Sequence, residues 1–258
     1  MVKRLPALFI AHGSPMNIAL ENEYTEALKK LGHSIETPKA ILVISAHWRT
    51  NGAGINISDT PKQIYDFYGF PDELYNIKYE VTGSRKYALE ALEEVKDLGV
   101  LATESWGLDH GAWGILKHIY PKADIPVFQL SLNALEDENY HYKLGKKLSE
   151  LRDKGFLIIG SGNIVHSFRY MDYDMDAEPQ DFAVKFEEYI KDALLNDDHK
   201  KLINYKDSGE LALKSVPTDE HYVPLLYIAG LKQKNEKITF IYEGIQNASM
   251  SMTSFMIS

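Results

Sequence analysis

The chain has 258 residues, 45% of them hydrophobic, which is enough for one large α/β domain with a substantial core. Its 28 basic and 37 acidic side chains leave a net charge of −9 with no basic cluster, which argues against a nucleic-acid or acidic-membrane surface. There is no cysteine, so disulfides, thiolate zinc sites and iron–sulfur clusters are excluded, and a reducing cytoplasm is the compartment that fits. Any metal must be held by nitrogen and oxygen.

Lys3 and Arg4 ahead of Leu5-Pro6-Ala7-Leu8-Phe9-Ile10-Ala11 have a faint leader-peptide shape. The run is short, contains proline and leads directly into His12-Gly13-Ser14-Pro15, so it reads as a first core strand. No apolar run approaches a membrane span. Tyr24, Leu28 and Leu31 then mark a helix, and Ala40 to Ala46 a second buried strand. Ala88, Leu92 and Val95 give the next helical stripe, with a histidine motif, Leu-Asp-His110-Gly-Ala-Trp-Gly, after it. Val127 to Ser131 and Phe156 to Gly160 read as two further buried strands, separated by a helix carrying Leu144, Leu148 and Leu151. Phe182, Phe186, Tyr189 and Ala193 form another stripe, and Ile238–Tyr242 with Ser249–Met256 reads as a terminal hairpin around Glu243-Gly244. Continuous apolar strands alternating with amphipathic helices predict a single α/β domain over 1–258, with a mostly parallel central sheet flanked by helices and C-terminal antiparallel strands.

In such a sheet, ligands gather beyond the carboxyl ends of the strands. His12 follows the first strand, His47 the second, and Gly160-Ser161-Gly162-Asn163 the later one, with His166 just beyond. A lone histidine in such a place is ordinarily a hydrogen-bonded, half-buried residue. Several at one rim make a nitrogen-rich site instead. His12, His47 and one residue of Glu220-His221 would give three ligands with open positions, as catalytic metal sites require. Three histidines suit zinc or iron, and two with a carboxylate suit non-haem Fe(II). His110 and His166 remain for acid–base work. The Gly-Ser-Gly-Asn turn could present backbone N–H groups to an oxygen-rich ligand, or could be an ordinary strand-to-helix connection. Asp109 either orients His110 or caps the helix that follows. Ser14 lacks the surroundings of a nucleophile elbow and reads as a turn or cap residue. Tyr65-Asp66-Phe67-Tyr68-Gly69-Phe70-Pro71 either walls an aromatic pocket or folds over the core. His33, placed beyond a helix end, and His118, His141 and His199 have no motif support and read as structural or solvated.

Taken together, His-Gly-Ser-Pro-Met, Ser-Ala-His-Trp, Tyr-Asp-Phe-Tyr-Gly-Phe-Pro, Asp-His-Gly-Ala-Trp, Gly-Ser-Gly-Asn-Ile-Val-His and Glu-His-Tyr-Val-Pro-Leu-Leu-Tyr resemble the motifs of the class III extradiol ring-cleaving dioxygenases, DOPA 4,5-dioxygenase-like branch, over residues 6–257. The resemblance implies oxidative ring opening of a catechol, with O2 and a small aromatic diol as the partners. It implies one divalent metal, Fe(II) for that activity or Zn(II) as bound. It matches His12 and His47 to two ligands and His221 to the third, with Glu220 as the wider family's alternative. His166 matches the base, and His110 a second active-site histidine. Ser14, Trp48, Tyr68 and Asn163 are then candidate substrate contacts. Tyr68 stands where related sequences carry a small residue, so a bulky phenol is expected to narrow the pocket. A zinc hydrolase and a non-catalytic interaction protein are the competing functions; dependence on Fe(II) and O2 separates them from the dioxygenase.

Overall fold

Four buried, mostly apolar runs build the centre of the sheet in the computed structural model, which describes residues 4–258. Lys3, part of the leader-like segment, lies outside the described residues; Ala7–Ala11 is a core strand as expected. The strands are β1 (Ala7–Ala11), β2 (Ala40–Thr50), β3 (Gly54–Asn56), β4 (Leu101–Thr103), β5 (Val127–Asn133), β6 (Phe156–Gly162), β7 (Ile238–Tyr242), β8 (Ile245–Gln246), β9 (Met250–Ser251) and β10 (Ser254–Ile257). Eight of them form one sheet in the order β4-β3-β5-β2-β6-β1-β10-β7. Neighbours from β5 to β1 are parallel, while β10 pairs antiparallel with both β1 and β7. β8 and β9 pair separately.

The apolar runs are continuous because both faces of the sheet are covered. Phe9, Leu42, Ile44, Phe156 and Ile158 point into one core layer, while Leu8, Ile10, Val43, Leu157 and Ile159 point into the other. Each such fully buried side chain contributes about 1.5–3 kcal/mol. The second layer is closed by α1 (Glu23–Ser34), α2 (Asp72–Asn76) and α4 (His110–Ile119). The first is closed by α3 (Arg85–Val95), α5 (Glu138–Leu148), α6 (Asp181–Leu195), α7 (His199–Ile203), α8 (Glu210–Ser215) and α9 (Val223–Leu231). Among the described residues no helix is long and apolar enough to cross a membrane.

Three sequence expectations change. The terminal hairpin exists as the β7–β10 pair, but Ser249–Met256 is not one strand: β9 and β10 are separate, and the chain between β7 and β10 makes the β8–β9 excursion. His47 lies inside β2, where pairing with β5 slips between Ile44 and Arg49. That irregularity carries the strand past its last partner in β6, Ser45, and out to the rim. His33 belongs to the last turn of α1, its Nδ1 2.8 Å from the Lys29 carbonyl.

Candidate active site

Parallel strands β1, β2 and β6 end at one rim, and five imidazoles meet there. His12 leaves β1 with its N–H donating to the Gly162 carbonyl at 3.2 Å. The Ser161 hydroxyl donates to the Gly111 carbonyl at 2.6 Å, and His12 Nδ1 lies 2.9 Å from the same oxygen. A hydroxyl has one proton to give, so His12 Nδ1 must be the donor to Ser161. That fixes the tautomer with the Nε2 lone pair facing the cavity. Across from it stands His47 Nε2, 3.0 Å away. Two nitrogens held at right angles on one ion at about 2.1 Å are about 3.0 Å apart, so this pair is spaced as cis ligands are.

His221 enters from the turn before α9. Its Nδ1 lies 3.2 Å from Glu220 Oε1, and Glu220 also accepts from the Thr218 hydroxyl at 2.8 Å. Glu220 therefore orients His221. His12, His47 and His221 each offer a ring nitrogen, all within 4.8 Å of one another. Three neutral nitrogens converging on one point, two of them braced from behind, fit a divalent cation. The close approach depends on glycine. A Cβ on Gly162 would sit 2.1 Å from the His221 carbonyl oxygen, and one on Gly111 would sit 3.0 Å from the His47 ring.

His166 lies parallel to His221, ring centroids 3.6 Å apart and planes 4° apart, with Phe168 edge-on at 4.6 Å. His110 opens α4 at 4.2 Å, centroid to centroid, from His47. Asp66, from the aromatic loop, joins these two. Its Oδ1 accepts from the His110 backbone N–H at 2.8 Å and lies 3.0 Å from His110 Nδ1, off the line of a good hydrogen bond. Its Oδ2 is 3.2 Å from His47 Nδ1. Burial would raise this carboxyl, but the hydrogen bond and charge of His110, then His47, hold it below the usual carboxylate range.

The other shifts share one cause. Burial, followed by mutual repulsion among the imidazoles, holds His12 and His221 well below the usual histidine value. Burial and then His221 and His47 do the same to His166. His47 is pushed down to about 4 by burial first and His110 second, with Asp109 and Asp66 opposing. His12, His47, His166 and His221 are thus neutral at pH 7, the state in which imidazole binds metal or takes a proton.

A cavity of about 600 Å³ opens above these rings, lined by His12, His47, His110, His166 and His221 and walled by Phe67, Phe70 and several methionines. Ser14 and Tyr68 line it, although Ser14 Oγ also accepts from Met16 N–H as a cap, and Tyr68 stands at the mouth, 91% exposed, without narrowing the interior. Trp48 and Asn163 do not line it. Trp48 follows His47 on the opposite face of the strand and stacks on Trp106 at 6.0 Å. Asn163 is sealed beneath, its Nδ2 donating to the Ser251 carbonyl at 2.8 Å. The Gly-Ser-Gly-Asn stretch offers no anion cradle: Gly160 to Gly162 belong to β6, and the Asn163 N–H is spent on the His221 carbonyl at 2.8 Å. Asp109 caps α4 through Ala112 N–H at 3.2 Å and also accepts from Ser45, Gln129 and the Trp106 indole. The residue that reaches His110 is Asp66, which sequence reasoning left inside the aromatic loop. An acidic residue amid six aromatic and turn residues was its only signal.

Against this geometry, the profile of the catalytic LigB subunit of aromatic ring-opening dioxygenase matches residues 6–257. The chain is 43% identical to a 4,5-DOPA dioxygenase extradiol of Escherichia coli K12 over 98% of its length and 95% of the relative's. It is 36% identical to a protein of the same name from Beta vulgaris over 96% and 94%. A crystal structure of an uncharacterized E. coli K12 protein superposes with a TM-score of 0.87 at 40% identity, covering 99% of this chain and all of that one. The converging histidines, the sheet that carries them and these full-length likenesses agree, and the chain belongs to the LigB family of extradiol, aromatic ring-opening dioxygenases.

Proposed function

We propose that this chain opens the ring of a catechol of the DOPA type beside the diol, with one divalent metal held by His12, His47 and His221. The observation that carries the reading is the stack of His166 on His221: a neutral imidazole 3.6 Å from a proposed ligand, facing the same cavity. A metal bound there would acidify the catechol hydroxyls and, as Fe(II), would relay electrons from the bound catechol to O2.

The protein's own groups do the rest. His166, kept neutral by burial and its neighbours, takes a phenolic proton. Ser161 and Glu220 hold the His12 and His221 rings in place, so the ligands need no reorganisation. Asp66 aligns His110 beside His47, where it transfers a proton or meets O2. Phe67 and Phe70 offer apolar walls to a flat aromatic ring and limit water at the reacting face.

The test is anaerobic reconstitution of metal-free protein with Fe(II) and, separately, Zn(II), followed by a simple catechol and air. O2 uptake together with a yellow ring-opened product, for iron alone, is the expected result. Silence with stoichiometric iron across several catechols would overturn the reading.

A further inference from the structure

One cation stands beside the histidine cluster without lining the cavity. Arg49 lies two residues beyond His47 in β2, on the same face of the strand. It follows the slip in the β2–β5 pairing and takes Leu132 as its register partner. There β2 has passed its last partner in β6, Ser45, and Arg49 faces the turn Thr218-Asp219-Glu220-His221 instead. Its Nη1 donates to Asp219 Oδ1 at 2.6 Å and lies 3.8 Å from Glu220 Oε2.

The turn is also fixed through its backbone. The Asp219 carbonyl accepts from Tyr222 and Val223 N–H, each at 3.0 Å, and the His221 carbonyl accepts from Asn163 N–H at 2.8 Å. What these bonds leave open is the direction of the Glu220 carboxylate. Its Oε1 accepts from the Thr218 hydroxyl at 2.8 Å and lies 3.2 Å from His221 Nδ1, and its Oε2 faces Arg49. Among the described residues, Arg49 is the one lysine or arginine within 4.0 Å of this carboxylate.

Glu220 is the turn's own rival to His221, a charged oxygen donor on the adjacent residue. A divalent cation attracts an unpaired carboxylate strongly, and two imidazoles with one carboxylate are themselves a sound ligand set. We propose that Arg49 is a positioning residue of the metal site: it holds Glu220 against His221 and away from the cation, so that the third ligand is imidazole and not carboxylate. This rests on the reading of His12, His47 and His221 as ligands. With its side chain 38% exposed, the Arg49 ion pair contributes little to stability. Its effect should therefore appear at the metal and not in the unfolding of the metal-free protein.

The experiment loads the metal-free protein with Co(II), whose visible d–d bands report the donor atoms around it. The parent is expected to bind one Co(II) per chain. Arg49→Gln should bind it with altered bands and should raise the ratio of Mn(II) to Co(II) affinity on the order of tenfold, because carboxylate suits the harder ion. Its metal-free form should unfold at the parent's midpoint. In R49Q/E220Q the amide oxygen still accepts from His221 Nδ1 but carries no charge, so bands and ratio should return to those of the parent. Unchanged bands and ratio in R49Q would reduce Arg49 to a surface ion pair and overturn the proposal. So would a change that persists in R49Q/E220Q, or a markedly lower midpoint, since either means that the whole turn has moved. Failure of the parent to bind Co(II), or binding that survives His12→Ala, would instead remove the ligand reading itself.

Discussion

His12 and His221 at the rim and His118 and His141 away from it are equally buried, at 5% and 7% against 5% and 3% exposure. Burial pushes all four below the usual histidine value. The difference lies in what the rings face. His118 Nε2 is 2.8 Å from the Asn17 carbonyl, and His141 Nδ1 is 2.9 Å from the Tyr227 hydroxyl, each a single satisfied bond in a packed layer. His12 turns one nitrogen to Ser161 and the other to a second imidazole, which no neutral protein group complements. A depressed histidine is therefore a sign of burial, and only unsatisfied nitrogens converging on one point are a sign of a site.

Substitution at the two regions gives the sharpest break. His12→Ala should abolish metal binding and ring opening together, whereas His118→Ala should retain stoichiometric metal and lose only stability, by about 1–3 kcal/mol for the unpaired carbonyl it leaves. Metal content by mass spectrometry and O2 uptake read both, and loss of metal from His118→Ala would reverse the assignment. Next in size, His166→Ala should keep its metal and lower kcat about 10²- to 10⁴-fold. Normal turnover there would remove the base from its role. Asp66→Asn should weaken metal affinity about 10- to 100-fold, as loss of a carboxylate behind a ligand does. An unchanged affinity in a competition titration would reduce Asp66 to a loop anchor.

Much of this was legible before folding. The buried strands at 7–11, 40–46, 127–131 and 156–160 lie within observed strands because covered parallel strands leave an unbroken apolar signature. The stripe at Tyr24, Leu28 and Leu31 lies in α1 because a helix that shields one face of a sheet must repeat at that period. α9 escaped, since Val223 to Leu231 is buried on every side and has no period to read. β3 and β4, three residues each, are too short to alternate visibly. At the site, residue types and the fold's rim predicted which histidines would meet. They did not predict Asp66 behind two of them, because a loop's path depends on what it packs against. Trp48 shows the converse error: adjacency to His47 in sequence means the opposite face in a strand.

The smallest predicted effect leaves activity alone and tests the structural member of the comparison. His141 is held at about 4 by burial, against about 6.5 when unfolded. Above pH 6.5 neither state binds its proton, and the residue adds no pH dependence. Between pH 6.5 and 4 the unfolded chain takes the proton and the folded chain refuses it, so stability is lost as pH falls, by roughly 3 kcal/mol in all. Below 4 both states are protonated and the loss levels off. His141→Gln keeps a partner for the Tyr227 hydroxyl and removes the proton. Denaturant unfolding of the metal-free parent and variant, measured from pH 7 to 4, should give a stability difference that shrinks with falling pH across that window. The rim histidines titrate identically in both proteins and cancel. A difference constant with pH would mean that His141 is protonated in the fold, and that burial alone does not keep a satisfied histidine neutral.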